Sequence, residues 1–320
     1  MRKTTKAWLI VAFSLLLLGV LLFGGVMMAL NWDFHKLSTN RFDQREHEIR
    51  EDFNNISIDT DTADITFLPS ADGSCSVVCY EQEKVGHSVT VKDHSLVIEV
   101  VDTRRWYEHI GISFGSPRIT VYLPKAEYGA LVIRSSTGKI EVPSNFCFES
   151  MDLSQSTGDV RNAASASGTV RIKTTTGNIS VENVSAEAME LSVSTGRITA
   201  SGVRCAGALQ IAVSTGKAIL SGVECGSLTS TGNTGDLTLQ NVIAAQTLSV
   251  KRSTGDVRLE SCDAAEIFVT TDTGDVTGSL RSEKAFLVKT DTGRVSVPSS
   301  TTGGRCEITT DTGEIKITVQ

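Results

Sequence analysis

The chain has 320 residues, 37 acidic against 30 basic side chains and a net charge of −7, enough length for two domains and an anchor. No run of Lys and Arg occurs beyond the first six residues, which argues against a phosphate backbone, and so nucleic acid, as a partner. Aromatics are only 6% of the residues and all five His (35, 47, 87, 94, 109) precede residue 110, so little remains later for acid–base chemistry or sugar stacking.

Arg2, Lys3 and Lys6 precede an uncharged apolar stretch, residues 7–30. At 1.5 Å per residue a helix over 7–30 spans roughly 36 Å, which exceeds the ~30 Å hydrocarbon core. A secretory apolar region is about 7–15 residues, so the length favours an uncleaved anchor over a signal peptide. Trp8 and Trp32 stand near the two ends, where interfacial aromatics are expected. The positive flank predicts a cytoplasmic N-terminus, with residues 31–320 extracytoplasmic and the lipid bilayer as the partner of 7–30.

Residues 31–50 are polar and charged and read as a juxtamembrane stalk. From Phe53 the pattern alternates apolar and polar ("ISIDTDTADITFLP", "CSVVCYEQ", "HSVTVKDHSLVIEVV", "RITVYLP"), the mark of short strands, and 51–133 reads as a β-rich capping region. Within it "DTRRWYEHIGISFGSP" breaks the alternation. Arg104, Arg105, Trp106, Tyr107, His109 and Phe114 make it a candidate binding loop, since aromatics and Arg concentrate at recognition hot spots. The competing reading is a hairpin whose aromatics close the end of the core.

Residues 134–320 repeat. Thr-Gly recurs in step ten times, at Gly138, Gly158, Gly177, Gly196, Gly216, Gly235, Gly255, Gly274, Gly293 and Gly313, always 19 or 20 residues apart. Apolar residues stand five and seven places before each Gly and two and four after it, with few exceptions (Ser230, Asn162 and Gly278 among them), and Thr or Ser fill the places between. Period two on both sides of a glycine predicts strand, sharp corner, strand. A unit this short cannot hide its own apolar row, so the repeats must stack as a β-solenoid of about ten coils. At ~4.8 Å per coil that is a rod roughly 50 Å long. A β-sandwich would not keep so constant a period.

Other candidate sites dissolve into this repeat. The tripeptide Asp-Thr-Gly at 272–274, 291–293 and 311–313 resembles the start of an aspartic peptidase site, but the three Asp share the column of Ser136, Ser156 and Ser194. Stacked acids at Asp272, Asp291 and Asp311, and at Asp236, Asp256 and Asp275, are either a solvated ridge or a calcium ladder; the glycine-rich calcium-solenoid motif is absent. Of seven Cys, Cys147, Cys205 and Cys225 fall nine places after a corner, where Ala186, Ala244 and Ala264 stand in other coils, which predicts a small buried column. Cys205 and Cys225 would then be neighbours able to bridge. Cys75 and Cys79 lie ~13 Å apart on one strand face, and no Cys-x2-Cys pair signals zinc. No metal, cofactor or catalytic residue is expected. The last coil ends at Gln320 with no cap, which predicts an open strand at 306–320 available for self-association.

"FNNISIDTDTADITFLPS", "ITVYLPKAEYGALVIRSSTGKIEV" and the recurring "STGDV" and "DTGDV" resemble the bacterial putative-adhesin family of unknown function with β-strand repeats, over about residues 53–320. The resemblance implies an envelope-associated, membrane-anchored solenoid and carries no catalytic residues over. The expectation is a non-catalytic extracytoplasmic β-solenoid that binds an envelope protein or a cell-surface ligand. An envelope-stress accessory acting through a membrane protein is the alternative, and a carbohydrate-active β-helix enzyme a more distant one.

Overall fold

The computed structural model describes residues 3–33, 41–106 and 115–320. Helix α1 (Lys3–Ala29) contains the stretch Trp8–Ala29, long and apolar enough to cross a membrane. Its apolar residues face all directions rather than forming one stripe. The rest is β-structure. The first strands are β1 (Phe42–Ile49), β2 (Asn55–Thr62), β3 (Asp64–Pro69), β4 (Cys75–Gln82), β5 (Val85–Lys92), β6 (Ser95–Asp102) and β7 (Arg118–Leu123). The repeats follow as β8 (Glu127–Thr137), β9 (Ile140–Val142), β10 (Cys147–Thr157), β11 (Val160–Asn162), β12 (Ser165–Ala166), β13 (Thr169–Glu182), β14 (Ser185–Ala186) and β15 (Ala188–Ser201). The C-terminal portion holds β16 (Arg204–Thr234), β17 (Leu237–Thr254), β18 (Val257–Thr273), β19 (Val276–Leu280), β20 (Lys284–Thr292), β21 (Val295–Ser296), β22 (Gly304–Thr312) and β23 (Ile315–Val319).

The coils pair in parallel and in register, for example Val170 with Met189 and Ile179 with Ile198. The bend glycines form one column. A methyl group on Gly158 would overlap the carbonyl oxygen of Gly138, one on Gly177 that of Gly158, and so on up the stack. Nine of the ten have φ between 123° and 155°, a region that side chains disfavour; Gly293 is the exception. Open backbone and close stacking together make glycine obligatory at the bend. The residue three places before the bend glycine, except at Gly232, points inward and often donates to the bend of the adjacent coil. Gln155 reaches Gly138 O (3.3 Å), Thr174 Gly158 O (3.4 Å) and Thr310 Gly274 O (3.2 Å). One continuous cluster of buried aliphatics runs from Phe53 to Ile317, with no break at 133/134.

The coil order departs from the chain order at both ends. The coil β2–β3, turning at Ala63, lies between β6–β7 on its outer side and β8–β9 on its inner side. At the far end β22 lies between β18 and β20, and β23 between β19 and β21. The terminal strand is therefore an interior one, and the expected open edge at 306–320 is corrected: the outermost coil is 284–296. Composition explains the exchange. The last coil offers Cys306, Ile308, Ile315 and Ile317, all buried, whereas the 284–296 coil leaves Leu287 59% and Val295 43% exposed and runs into Pro298. Proline cannot donate to a ladder, so this coil suits an edge. The linker returns through Gly303 (φ 92°) and Gly304, where any side chain would strike the backbone of Glu283 and Ala265.

The N-terminal end is closed. Strands β5 and β4 lie antiparallel on β6 and β7, and β1 lies antiparallel on β4. Residues 42–49, read from sequence as stalk, are thus a strand. Phe42 stacks on Tyr80 (5.2 Å between centroids), and Ile49 packs against the core. Asp43, Arg45, Glu46 and Glu48 put charge along the edge, which opposes addition of a further strand.

Candidate functional site

A concavity of about 740 Å³ crosses the coils just after the bend column. Its floor and one wall come from β3, β9, β11 and the later halves of β13 and β15, neighbours in the stack. Outward positions one and three places after each bend glycine line it, so Glu141, Asp159, Arg161, Asn178, Ser180 and Arg197 project into it as successive rungs. Leu68 and Pro143 give a short apolar margin near the capped end. Glu141 pairs with Lys139 and lies 3.8 Å from Arg161. Arg197 has no carboxylate partner among the described residues. The groove therefore presents two guanidinium forks, suited to carboxylate or phosphate, beside a row of hydroxyl and amide groups. The Thr-Gly period located these columns but gave no sign that the adjacent coils enclose a concavity.

Strands β6 and β7 are the two arms of the coil outside β2–β3 at the capped end, and the candidate loop falls between them in sequence. Arg104 folds back on Asp102, with Nη2 to Oδ2 at 2.6 Å, and this bond holds its guanidinium above its ordinary pKa. Trp106 is 81% exposed. Tyr107, His109 and Phe114 lie outside the described residues, so of the six only Arg104, Arg105 and Trp106 are described.

The acidic columns have a structural explanation. The carboxylate one place after the bend accepts the backbone N–H of the equivalent residue on the next coil. Asp64 takes that of Lys139 (2.9 Å), Asp159 that of Asn178 (2.8 Å), Asp256 that of Asp275 (2.9 Å) and Asp275 that of Glu314 (2.7 Å). Each acid thus ties two coils together, which accounts for the recurrent Gly-Asp. Asp272, Asp311 and Asp291 are exposed and, because the last coil is interior, stack in that order. In the cysteine column Cys205 and Cys225 are buried as expected, but Phe148, not Cys147, pairs with Ala166 and fills the inward place. The first coil is one residue out of step there, and Cys147 is left half-buried.

Stacked in-register coils, one glycine bend per coil and an apolar core without helices define a β-solenoid. The chain belongs to the Toastrack family DUF4097, whose profile matches residues 53–217 and 207–320. Similar crystal structures include the following three. A protein of Bacteroides fragilis described as a "putative adhesin" is 14% identical, with 88% of this chain and 97% of that one covered and a TM-score of 0.37. One of Parabacteroides distasonis described as a "putative lipid binding protein" is 12% identical, covering 87% and 98%, TM-score 0.41. Another of Parabacteroides distasonis, described as a "putative adhesin", is 12% identical, covering 87% and 98%, TM-score 0.34. No curated protein matches the sequence.

Proposed function

We propose that this chain is a non-catalytic, membrane-anchored extracytoplasmic rod that binds an elongated envelope or cell-surface ligand along the groove beside its bends. The observation that carries the reading is the ladder Glu141, Asp159, Arg161, Asn178, Ser180 and Arg197, repeating at the coil spacing across a concavity of about 740 Å³. A rigid polar track with a regular rise suits a polymer with regularly spaced hydroxyl and anionic groups better than a compact metabolite. The helix over Trp8–Ala29 and the positive charge before it support anchorage with the solenoid outside.

The test uses the full chain in detergent micelles and purified peptidoglycan sacculi, with co-sedimentation as the readout. Wild type should sediment with sacculi, and the Arg161→Ala/Arg197→Ala pair should bind at least tenfold more weakly. Equal binding by both would remove the groove from the reading. Failure to sediment, with a neighbouring membrane protein captured by cross-linking in intact cells, would instead support the accessory role. Release of soluble sugar fragments would overturn the non-catalytic reading.

A further inference from the structure

The N-terminal cap contains a buried polar cluster that neither the groove nor the bends use. Alternation along β4 points Cys79 and Glu81 inward, and the tight turn into β5 brings His87 back over them. Cys79 is 0%, Glu81 1% and His87 7% exposed. The Cys79 thiol, a Glu81 carboxylate oxygen and a His87 ring nitrogen all lie within 4.8 Å of one another. Glu81 Oε2 accepts from the His87 backbone N–H (2.7 Å) and faces His87 Nδ1 (2.9 Å). The other oxygen, Oε1, has no hydrogen-bond partner; the guanidinium of Arg45, half exposed on β1, stands 3.3 Å away. On the far side of the imidazole, Nε2 is 2.8 Å from the hydroxyl of buried Thr60.

Hydrogen bonding explains the Glu81–His87 pair but not the sulfur beside it, and Oε1 is met only by the ion pair with half-exposed Arg45. Thiolate, imidazole and carboxylate together are a zinc-type donor set. Two ligand atoms 2.0–2.3 Å from a tetrahedral ion lie about 3.3–3.8 Å apart, so the sulfur needs to approach by only about an ångström while the Nδ1–Oε2 pair, now at 2.9 Å, opens slightly. Charge also balances, because one divalent cation offsets one thiolate and one carboxylate, with the imidazole neutral. If Nε2–H donates to Thr60 Oγ1, Nδ1 keeps its lone pair for the ion, the outer-shell support that metal-bound imidazoles commonly have. Arg45 can swing outward when the ion takes its place beside Oε1.

We propose that Cys79, Glu81 and His87 form a binding site for a zinc-class divalent cation, with the fourth position open to water, that staples the β4–β5 hairpin onto the first coils. The sequence gives little warning of it, because Cys-x-Glu-x5-His on a strand and its hairpin partner matches no standard spacing.

The test takes the full chain in detergent, stripped with a chelator and titrated with Co²⁺ and with Zn²⁺ alone. Wild type should bind one ion per chain, show a thiolate-to-cobalt charge-transfer band and melt at higher temperature with Zn²⁺. Cys79→Ser should lose the band, and His87→Gln should bind at least tenfold more weakly. Cys75→Ser, buried on the same strand face but outside the set, should keep both signals. If the variants do not fold, X-ray absorption of zinc-loaded wild type decides: one sulfur with two or three nitrogen or oxygen ligands supports the site, and a shell without sulfur overturns it. Absence of stoichiometric binding by wild type, or a band unchanged in Cys79→Ser, would also overturn it.

Discussion

Replacing Arg252 by methionine should make the protein more stable. Arg252 stands three places before Gly255, the inward corner position where other coils carry Ser, Gln, Thr or Val, and it is 1% exposed. Its side chain enters the space left by Gly232, its partner on the adjacent coil, and Nη2 donates to Ser230 Oγ at 3.0 Å. Ser230 itself replaces the aliphatic residue found at that place in the other coils. Nε and Nη1 have no partner, and burial lowers the guanidinium pKa, only partly opposed by Asp236. Two orphaned donors cost about 1–3 kcal/mol each, and exchanging a buried charge for an apolar side chain of similar length is commonly neutral or stabilising by about 1–4 kcal/mol. Methionine is unbranched and fills the same channel, while Ser230 loses one partner, worth about 1 kcal/mol. The net expectation is a gain of roughly 1–3 kcal/mol, a rise in Tm of several degrees for a domain of this size. Arg252→Ala should do the opposite, because it leaves a void costing about 2–5 kcal/mol. Thermal and urea unfolding followed by circular dichroism reads both. A methionine variant less stable than wild type by more than about 1 kcal/mol would refute the argument and mean that the charge is compensated inside the core.

Deleting residues 306–320 should do more than trim an end. It removes the strands between β18 and β20, so the 284–296 coil loses its only ladder, and the C-terminal coils should lose amide-exchange protection as a block. Protection retained through 284–296 would contradict the interior placement. Asp236 is held below its ordinary pKa of 3.8, first by Lys217 at 2.8 Å and also by the backbone N–H of Asp256. A depressed carboxylate contributes stability above its unfolded pKa and loses it as pH falls through the folded one. Asp236→Asn should therefore cost under about 1 kcal/mol at pH 7, the pair being half exposed, and nothing once the pH is well below 3.8. A cost that persists unchanged in acid would show that the charge is not what matters.

What the sequence made legible follows from which forces are periodic. The inward aliphatic rows and the glycine bends recur in every coil because every coil faces the same two demands: a dry neighbour on each side and a corner with no room for Cβ. Strand positions, the single core and the bend column could therefore be read directly. The order of coils could not. Each coil's inward row suits any neighbour, so the period is silent on whether the last coil lies outside or inside the one before it. That choice rests on non-repeating details: exposed Leu287 and Val295, Pro298, and the Gly303–Gly304 return. Departures from the repeat thus carry the information that the repeat cannot. Ser230, Gly232 and Arg252 break two columns yet fit one another across adjacent coils, and Cys79, Glu81 and His87 gather where the repeat has not yet begun. The groove lies between these cases, since its residues sit in legible columns but its concavity depends on how the capped end meets the first regular coils. In a solenoid, particular function is best sought where the pattern fails, because a residue that serves only the stack has no reason to differ from the one above it.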